Sequence, residues 1–279
     1  MPYSAEISRV NPSCFLFLID QSGSMSDPFG GQPGKKKSEG VADAINRLLQ
    51  NLVIKCAKSE GVRDYYHVGV IGYGSRVAPS LGGALAGRDL VPISEIADKP
   101  LRIEQRVKKV DDGAGGLVDQ TIKFPVWFEP VAGGGTPMCE ALDLARQTIG
   151  DFISRYPNCY PPIIINLTDG EAGDGDPEPP SAALRSLSSS DGPVLFFNAH
   201  VSSRPDRPIE FPNSESQLPD DHARLLFRMS STLPPQMQET ARREELQVAD
   251  DTRGFVFNAD LVAVIRFLDI GTKVAQNLR

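Results

Sequence analysis

Short apolar runs alternate with longer periodic segments along the whole chain. The runs contain few charged residues and end at Asp, Asn, Gly or loop residues, a pattern typical of parallel strands that are buried on both faces. They predict five strands, at residues 14–19, 66–75, 161–170, 194–201 and 255–258. Such runs are long enough for a strand and too short to span a membrane.

The periodic segments between these strands predict amphipathic helices. In the first, apolar side chains recur at spacings of three and four residues, at Val41, Ala44, Ile45, Leu48, Leu49, Leu52 and Cys56. A second helix is predicted over 137–154, because Thr136 and Pro137 suit a helix start. Its apolar face is formed by Met138, Ala141, Leu142, Ala145 and Ile149. Further helical segments are predicted over 219–247 and from Leu261 to about Ala275.

Strands that alternate with helices favour right-handed crossovers and a mostly parallel sheet. The predicted fold is therefore α/β, with a doubly wound sheet flanked by helices on both faces. A single domain over residues 1–279 accommodates all elements, with a core at about 12–275. The stretch from about 76 to 132 shows no clear period, and we interpret it as an insertion.

Composition and charge narrow the classes of partner. The chain carries 29 Lys and Arg against 36 Asp and Glu, a net charge of −7, so neither nucleic acid nor a membrane surface is expected as a partner. The first residues lack the basic and apolar regions of an export signal. The chain has four scattered cysteines and no CxxC motif, which predicts free thiols in a reducing cytoplasm. They are Cys14, Cys56, Cys139 and Cys159.

Two of the predicted strands end in a carboxylate, Asp20 in the first and Asp169 in the third. In open α/β sheets, ligands bind outside the carboxyl ends of strands where the strand order reverses, so both acids are expected to meet there. Ser22 and Ser24 follow Asp20 at alternating positions of a tight turn, and Thr136 follows a run of glycines. These oxygen donors, without imidazole or thiolate, favour Mg²⁺, or Mn²⁺ in its place.

The segment FLFLIDQSGSM, with Asp20, Ser22 and Ser24, resembles the first strand and D-x-S-x-S motif of von Willebrand factor A domains. Thr136 in GGGTPMCEAL and Asp169 in IINLTDGE occur in the order that this family uses. The resemblance covers about residues 12–275. It implies a Rossmann-like fold with a metal-ion-dependent adhesion site, in which these five residues hold the ion directly or through water.

The same resemblance implies a function in protein–protein interaction. In this family the metal leaves one coordination position for a Glu or Asp side chain of a partner protein. Short intracellular proteins of this kind resemble bacterial members associated with tellurium resistance, MoxR-type ATPases, or kinase and phosphatase partners. The expected function is therefore that of a cytoplasmic adaptor or regulatory subunit rather than an enzyme.

Two other functions are weighed against this one. A Mg²⁺-dependent phosphohydrolase would use Asp20 as its nucleophile, but Ser22 stands where such enzymes place a second Asp as acid and base. A structural subunit could instead carry a vestigial metal motif and bind its partner through residues 76–132.

Three further groups of residues have charged, imidazole or aromatic side chains of functional types. Residues Lys35 to Lys37 are interpreted as a run of solvated charges. The alternative is that they steer an acidic partner towards the site. The histidines are too dispersed in sequence for a recognisable triad, at His67, His200 and His222. Trp127 belongs to an aromatic cluster that is interpreted as core in preference to interface.

Overall fold

The computed structural model describes residues 2–30, 34–111, 116–203 and 206–272. The strands in chain order are β1 (Ser13–Asp20), β2 (Ala57–Lys58), β3 (Gly61–Val62), β4 (Tyr66–Tyr73), β5 (Val77–Pro79), β6 (Val91–Pro92), β7 (Arg102–Asp111), β8 (Leu117–Val126), β9 (Ile163–Thr168), β10 (Ser188–Ser189), β11 (Gly192–Pro193), β12 (Leu195–Val201), β13 (Ile209–Glu210) and β14 (Phe255–Ala259). The helices are α1 (Lys37–Cys56), α2 (Ile93–Asp98), α3 (Met138–Arg155), α4 (Glu178–Arg185), α5 (Asp221–Met229), α6 (Pro235–Arg243) and α7 (Leu261–Gly271).

The main sheet has the strand order β13-β14-β12-β9-β1-β4-β5, and β6 pairs with β4. Strands β4, β1, β9, β12 and β14 are parallel, whereas β5, β6 and β13 pair antiparallel at the margins. The chain passes from β1 to β4 on one side and later to β9 on the other, so the strand order reverses at β1. This reversal opens a crevice at the carboxyl ends of β1 and β9.

Helices cover both faces of the sheet, which confirms the predicted α/β architecture. Helices α1, α6 and α7 pack with one apolar cluster, and α3, α4 and α5 pack with the other. The core positions predicted for the helices that are now α1 and α3 are all buried, namely Val41, Ala44, Ile45, Leu48, Leu49, Leu52, Cys56, Met138, Ala141, Leu142, Ala145 and Ile149.

One predicted helical segment is interrupted. The sequence predicts a helical region over about 219–247, and the structure has two helices there, α5 and α6, with an extended link between them. In this link Ser231 pairs with Phe196 of β12: its N–H donates to the Phe196 carbonyl (2.7 Å), and its hydroxyl accepts from the Phe196 N–H (3.1 Å). The link ends at Pro234 and Pro235, which start α6 because proline suits the first turn of a helix.

Helix α7 extends to Gly271, and Thr272 is the last residue that the structure describes. The predicted end at about Ala275 lies outside the described residues. In the part of the chain that is described, no helix combines the length and apolar character needed to cross a membrane.

The stretch from 76 to 132 is ordered around a two-stranded ribbon. Strands β7 and β8 pair antiparallel over ten residues each, and β5 and β6 extend the main sheet. Trp127, just after β8, is 2% exposed, and its indole N–H donates to the Ile96 carbonyl (2.6 Å). The aromatic cluster is therefore core, as predicted.

Candidate metal centre

The candidate centre lies where β1 and β9 end side by side. Asp20 is the last residue of β1, and Asp169 directly follows β9. Because Ile19 is in register with Leu167, the parallel pairing brings both carboxylates to the same edge of the sheet. This is the edge at which the strand order reverses, as predicted from the sequence.

Asp20 is fully buried and receives only neutral hydrogen-bond donors. Its Oδ1 accepts from the Ser22 N–H (2.8 Å), and its Oδ2 accepts from the Thr168 hydroxyl (2.8 Å). Burial raises the pKa of Asp20, and the hydrogen bonds from Ser22 and Thr168 oppose that rise. No Lys or Arg side chain of the described residues pairs with this carboxylate, so a bound cation would compensate its charge.

Two hydroxyl groups connect the turn after β1 to the loop after β9. The Ser22 and Ser24 Oγ atoms lie 3.0 Å apart, and the Ser24 hydroxyl donates to Asp169 Oδ1 (2.8 Å). Four of the five predicted ligands are thus joined through short contacts at one point.

Thr136, the fifth, is held nearby by the glycine loop before α3. The Gly133 N–H donates to the Gln21 carbonyl (2.7 Å), and the Gly23 N–H donates to the Gly134 carbonyl (3.1 Å). The Thr136 hydroxyl lies 4.0 Å from the position that a Cβ on Gly170 would occupy. Three loops, after β1, before α3 and after β9, therefore bring all five residues together.

The glycine loop gives a test with a matched control. Gly134 has φ of +87°, and a Cβ there would lie 2.4 Å from the Ser75 backbone nitrogen. We expect Gly134→Ala to destabilise the protein by roughly 1–3 kcal/mol. At Gly135 nothing lies within 4 Å of such a Cβ, so Gly135→Ala should change stability by less than about 0.5 kcal/mol. Equal midpoints of urea unfolding for the two variants would contradict this account of the loop.

The structure adds Lys37 to the centre, where the sequence had favoured a solvated charge run. Lys37 is only 5% exposed, and its Nζ lies 2.5 Å from Asp169 Oδ2. For this residue the sequence interpretation was wrong, because the side chain points inward from the first turn of α1. The helix dipole disfavours a cation at a helix N-terminus. A lysine at the predicted start of α1 was therefore the available sign that this side chain has an anionic partner.

Two of the three histidines also come together beside the centre. The His200 and His222 rings lie 5.9 Å apart and line a cavity of about 240 Å³ with Lys37 and Asp169. Burial, with a smaller contribution from His222, lowers the pKa of His200 to about 4, so His200 is neutral at pH 7. Sequence spacing gave no sign of this proximity.

The donor set fits a hard divalent cation. In the described ranges no group of three or more His, Cys, Asp and Glu side chains could hold a metal, so the site depends on its hydroxyl oxygens. Two carboxylates and three hydroxyls are the ligand types that Mg²⁺ and Mn²⁺ accept. The buried Asp20 carboxylate has no cationic partner among the described residues, and such an ion would compensate its charge.

Two comparisons with known proteins found no match. No protein-family model matches the chain, and no curated protein matches it in sequence. Solved structures with related folds include the conserved hypothetical protein BatB from Bacteroides thetaiotaomicron, at 18% identity and a TM-score of 0.40 over 67% of this chain and 66% of that one.

Two further solved structures carry names that bear on the site. A von Willebrand factor type A protein from Catenulispora acidiphila has 17% identity and a TM-score of 0.38, over 68% of this chain and 33% of that one. Proximal thread matrix protein 1 from the mussel byssus, with a zinc-occupied MIDAS motif, has 16% identity and a TM-score of 0.38, over 70% of this chain and 37% of that one. The chain thus spans about a third to two thirds of the length of these proteins.

Proposed function

We propose that this protein is a von Willebrand factor A domain protein that binds a partner protein through a divalent cation. Asp20, Ser22, Ser24, Thr136 and Asp169 would hold Mg²⁺, or Mn²⁺ in its place. The observation that carries the proposal is the convergence of these five oxygen donors at the edge where the strand order reverses. The Ser22 backbone N–H donates to Asp20, the Ser24 hydroxyl donates to Asp169, and the two serine hydroxyls lie in hydrogen-bond contact.

The donor chemistry explains why such a site would bind rather than react. The bound ion would supply a positive centre that attracts a Glu or Asp carboxylate of the partner. The neutral hydroxyls of Ser22, Ser24 and Thr136 orient their oxygens without cancelling that charge. Because Asp20 is buried, little water surrounds its carboxylate, and the electrostatic attraction between this carboxylate and the ion would be stronger.

The residue two positions after Asp20 argues against the phosphohydrolase alternative. Such an enzyme would use a second Asp there as acid and base, and Ser22 supplies no carboxyl proton donor. We therefore propose a non-enzymatic, cytoplasmic adaptor or regulatory subunit of a bacterial multi-protein system. A stress response, phospho-signalling or a MoxR-type ATPase would provide such a setting.

Thermal unfolding during a metal titration tests the proposed site. A ligand that binds only the native state at 100 times its Kd stabilises it by about 2.7 kcal/mol. We expect Mg²⁺ and Mn²⁺ to raise the Tm of the wild type and to leave the Tm of Asp20→Asn unchanged. The control is Asp143→Asn, on an exposed carboxylate of α3, which should respond like the wild type. A wild-type Tm that does not respond to either ion would contradict the proposal.

The ribbon supports one alternative mode of binding. Strands β7 and β8 expose apolar side chains, with Ile103 58%, Val107 67% and Leu117 69% exposed. Apolar groups in such numbers on one ribbon are typical of contact surfaces. If the ribbon rather than the metal holds the partner, capture of the partner from a lysate will be unaffected by EDTA.

A further inference from the structure

The buried ammonium group of Lys37 lies inside the candidate metal centre. We propose that Lys37 makes this centre depend on an anionic partner, by weakening the binding of the metal alone and strengthening the binding of the partner's carboxylate. The inference rests on the proposed function and assigns a specificity-determining role to a residue outside the five ligands.

The contacts of Lys37 hold its charge in place. The Nζ atom lies 2.5 Å from Asp169 Oδ2, and the Asp169 side chain is 0% exposed. The Lys37 N–H donates to the Asp27 carbonyl (2.9 Å), which fixes the start of α1 beside the turn after β1. Asp27 Oδ2 is 3.7 Å from the ammonium but 58% exposed, so water screens its contribution.

The charges in the centre do not balance when a divalent ion is present. Asp20 and Asp169 contribute two negative charges, and Lys37 contributes one positive charge. A divalent ion would therefore leave a net charge of about +1 in a poorly hydrated site. His200 does not alter this sum at pH 7, because burial lowers its pKa to about 4.

A carboxylate from the partner would bring the centre to neutrality. Without Lys37, the two aspartates alone would neutralise the ion, and an incoming carboxylate would add an uncompensated negative charge. Lys37 therefore acts in opposite directions on the two ligands: it repels the metal and attracts the carboxylate. A lysine that only supports the fold would weaken both or affect neither.

Calorimetric titration with Mn²⁺, in the absence and presence of acetate, tests this role. The variants are Lys37→Met, which removes the charge, Lys37→Gln, which keeps a hydrogen-bond donor, and Lys37→Arg, which keeps the charge. We expect the two neutral variants to bind Mn²⁺ alone roughly tenfold more tightly than the wild type. Acetate should tighten Mn²⁺ binding to the wild type and Lys37→Arg, and this tightening should be several-fold smaller in the neutral variants. Thermal unfolding identifies any variant that is not folded, and Lys37→Gln then replaces Lys37→Met.

The outcomes separate this inference from the proposed function. A wild type that binds no Mn²⁺ overturns the proposed function and the inference with it. A wild type that binds Mn²⁺, with folded neutral variants that bind it equally or more weakly, overturns the inference alone. Equal acetate effects in Lys37→Met, Lys37→Gln and the wild type do the same.

Discussion

Replacing Asn46 by Ala is expected to lower the free energy of unfolding by roughly 3–5 kcal/mol. Asn46 is 2% exposed on α1 and fastens the end of the 76–132 stretch to that helix. Its Nδ2 donates to the Phe128 carbonyl (2.7 Å), and its Oδ1 accepts from the N–H groups of Trp127 (2.8 Å) and Phe128 (3.0 Å). Alanine would leave these three backbone groups buried without partners, at about 1–3 kcal/mol each before any relaxation.

Urea unfolding followed by fluorescence measures this effect, because Trp127 is the single tryptophan of the chain. The matched control is Asn51→Ala on the same helix, where Asn51 is partly exposed and has no side-chain hydrogen bond to the described residues. It should cost less than about 1 kcal/mol. A loss of less than about 1 kcal/mol for Asn46→Ala would show that Asn46 does not hold this segment.

The second large effect is expected from Asn166, the centre of a buried polar chain under the metal site. The Tyr73 hydroxyl donates to Asn166 Oδ1 (2.7 Å), and Asn166 Nδ2 donates to Asn198 Oδ1 (3.0 Å). Asn198 Nδ2 in turn donates to Ser230 Oγ (3.0 Å). All four residues are 0% exposed, so Asn166→Ala is expected to destabilise the protein by roughly 3–5 kcal/mol.

A double-mutant cycle with Tyr73→Phe checks that this cost comes from the hydrogen bond. Asn166→Ala removes the hydrogen-bond acceptor of the buried Tyr73 hydroxyl, and Tyr73→Phe removes that hydroxyl. The double variant should therefore lose less stability than the sum of the two single variants, by about 1 kcal/mol or more. Additive losses would contradict the role assigned to the pair.

The sheet and the five candidate ligands were accessible from the sequence because their signals are local. Apolar runs marked β1 and β9, and each run ended in an aspartate. Parallel pairing then brings Asp20 and Asp169 to one edge, a consequence of topology that needs no knowledge of side-chain contacts. Thr136 followed from its glycine loop and from the resemblance to a family motif.

The residues that the sequence analysis missed act through contacts between distant segments. Lys37 stood in a run of lysines whose other members gave no reason to expect burial. Asn46 lay on an otherwise apolar helix face, and Asn166 interrupted an apolar strand, yet neither partner was close in sequence. A polar residue inside an apolar run is a usable sign of a buried network, but it does not identify the partner.

The strands within residues 76–132 could not be predicted from the sequence for a related reason. Strands β5 and β6 are two or three residues long, too short to establish a period of two. The ribbon of β7 and β8 has charged side chains on both faces and is stabilised by ten paired positions across it. In β8 only Phe124 and Val126, near the end of the strand, are buried, so the alternating apolar pattern that marks a strand is short.

A crystal structure of the protein with Mn²⁺, with an anomalous difference map, would test the central claim most directly. The account predicts one strong peak between the turn after β1 and the loops that carry Thr136 and Asp169. Asp20, Ser22, Ser24, Thr136 and Asp169 would hold this ion, directly or through water. No peak at this edge, or a peak held by other residues, in crystals grown at saturating Mn²⁺ would contradict the claim that these five residues form a metal centre.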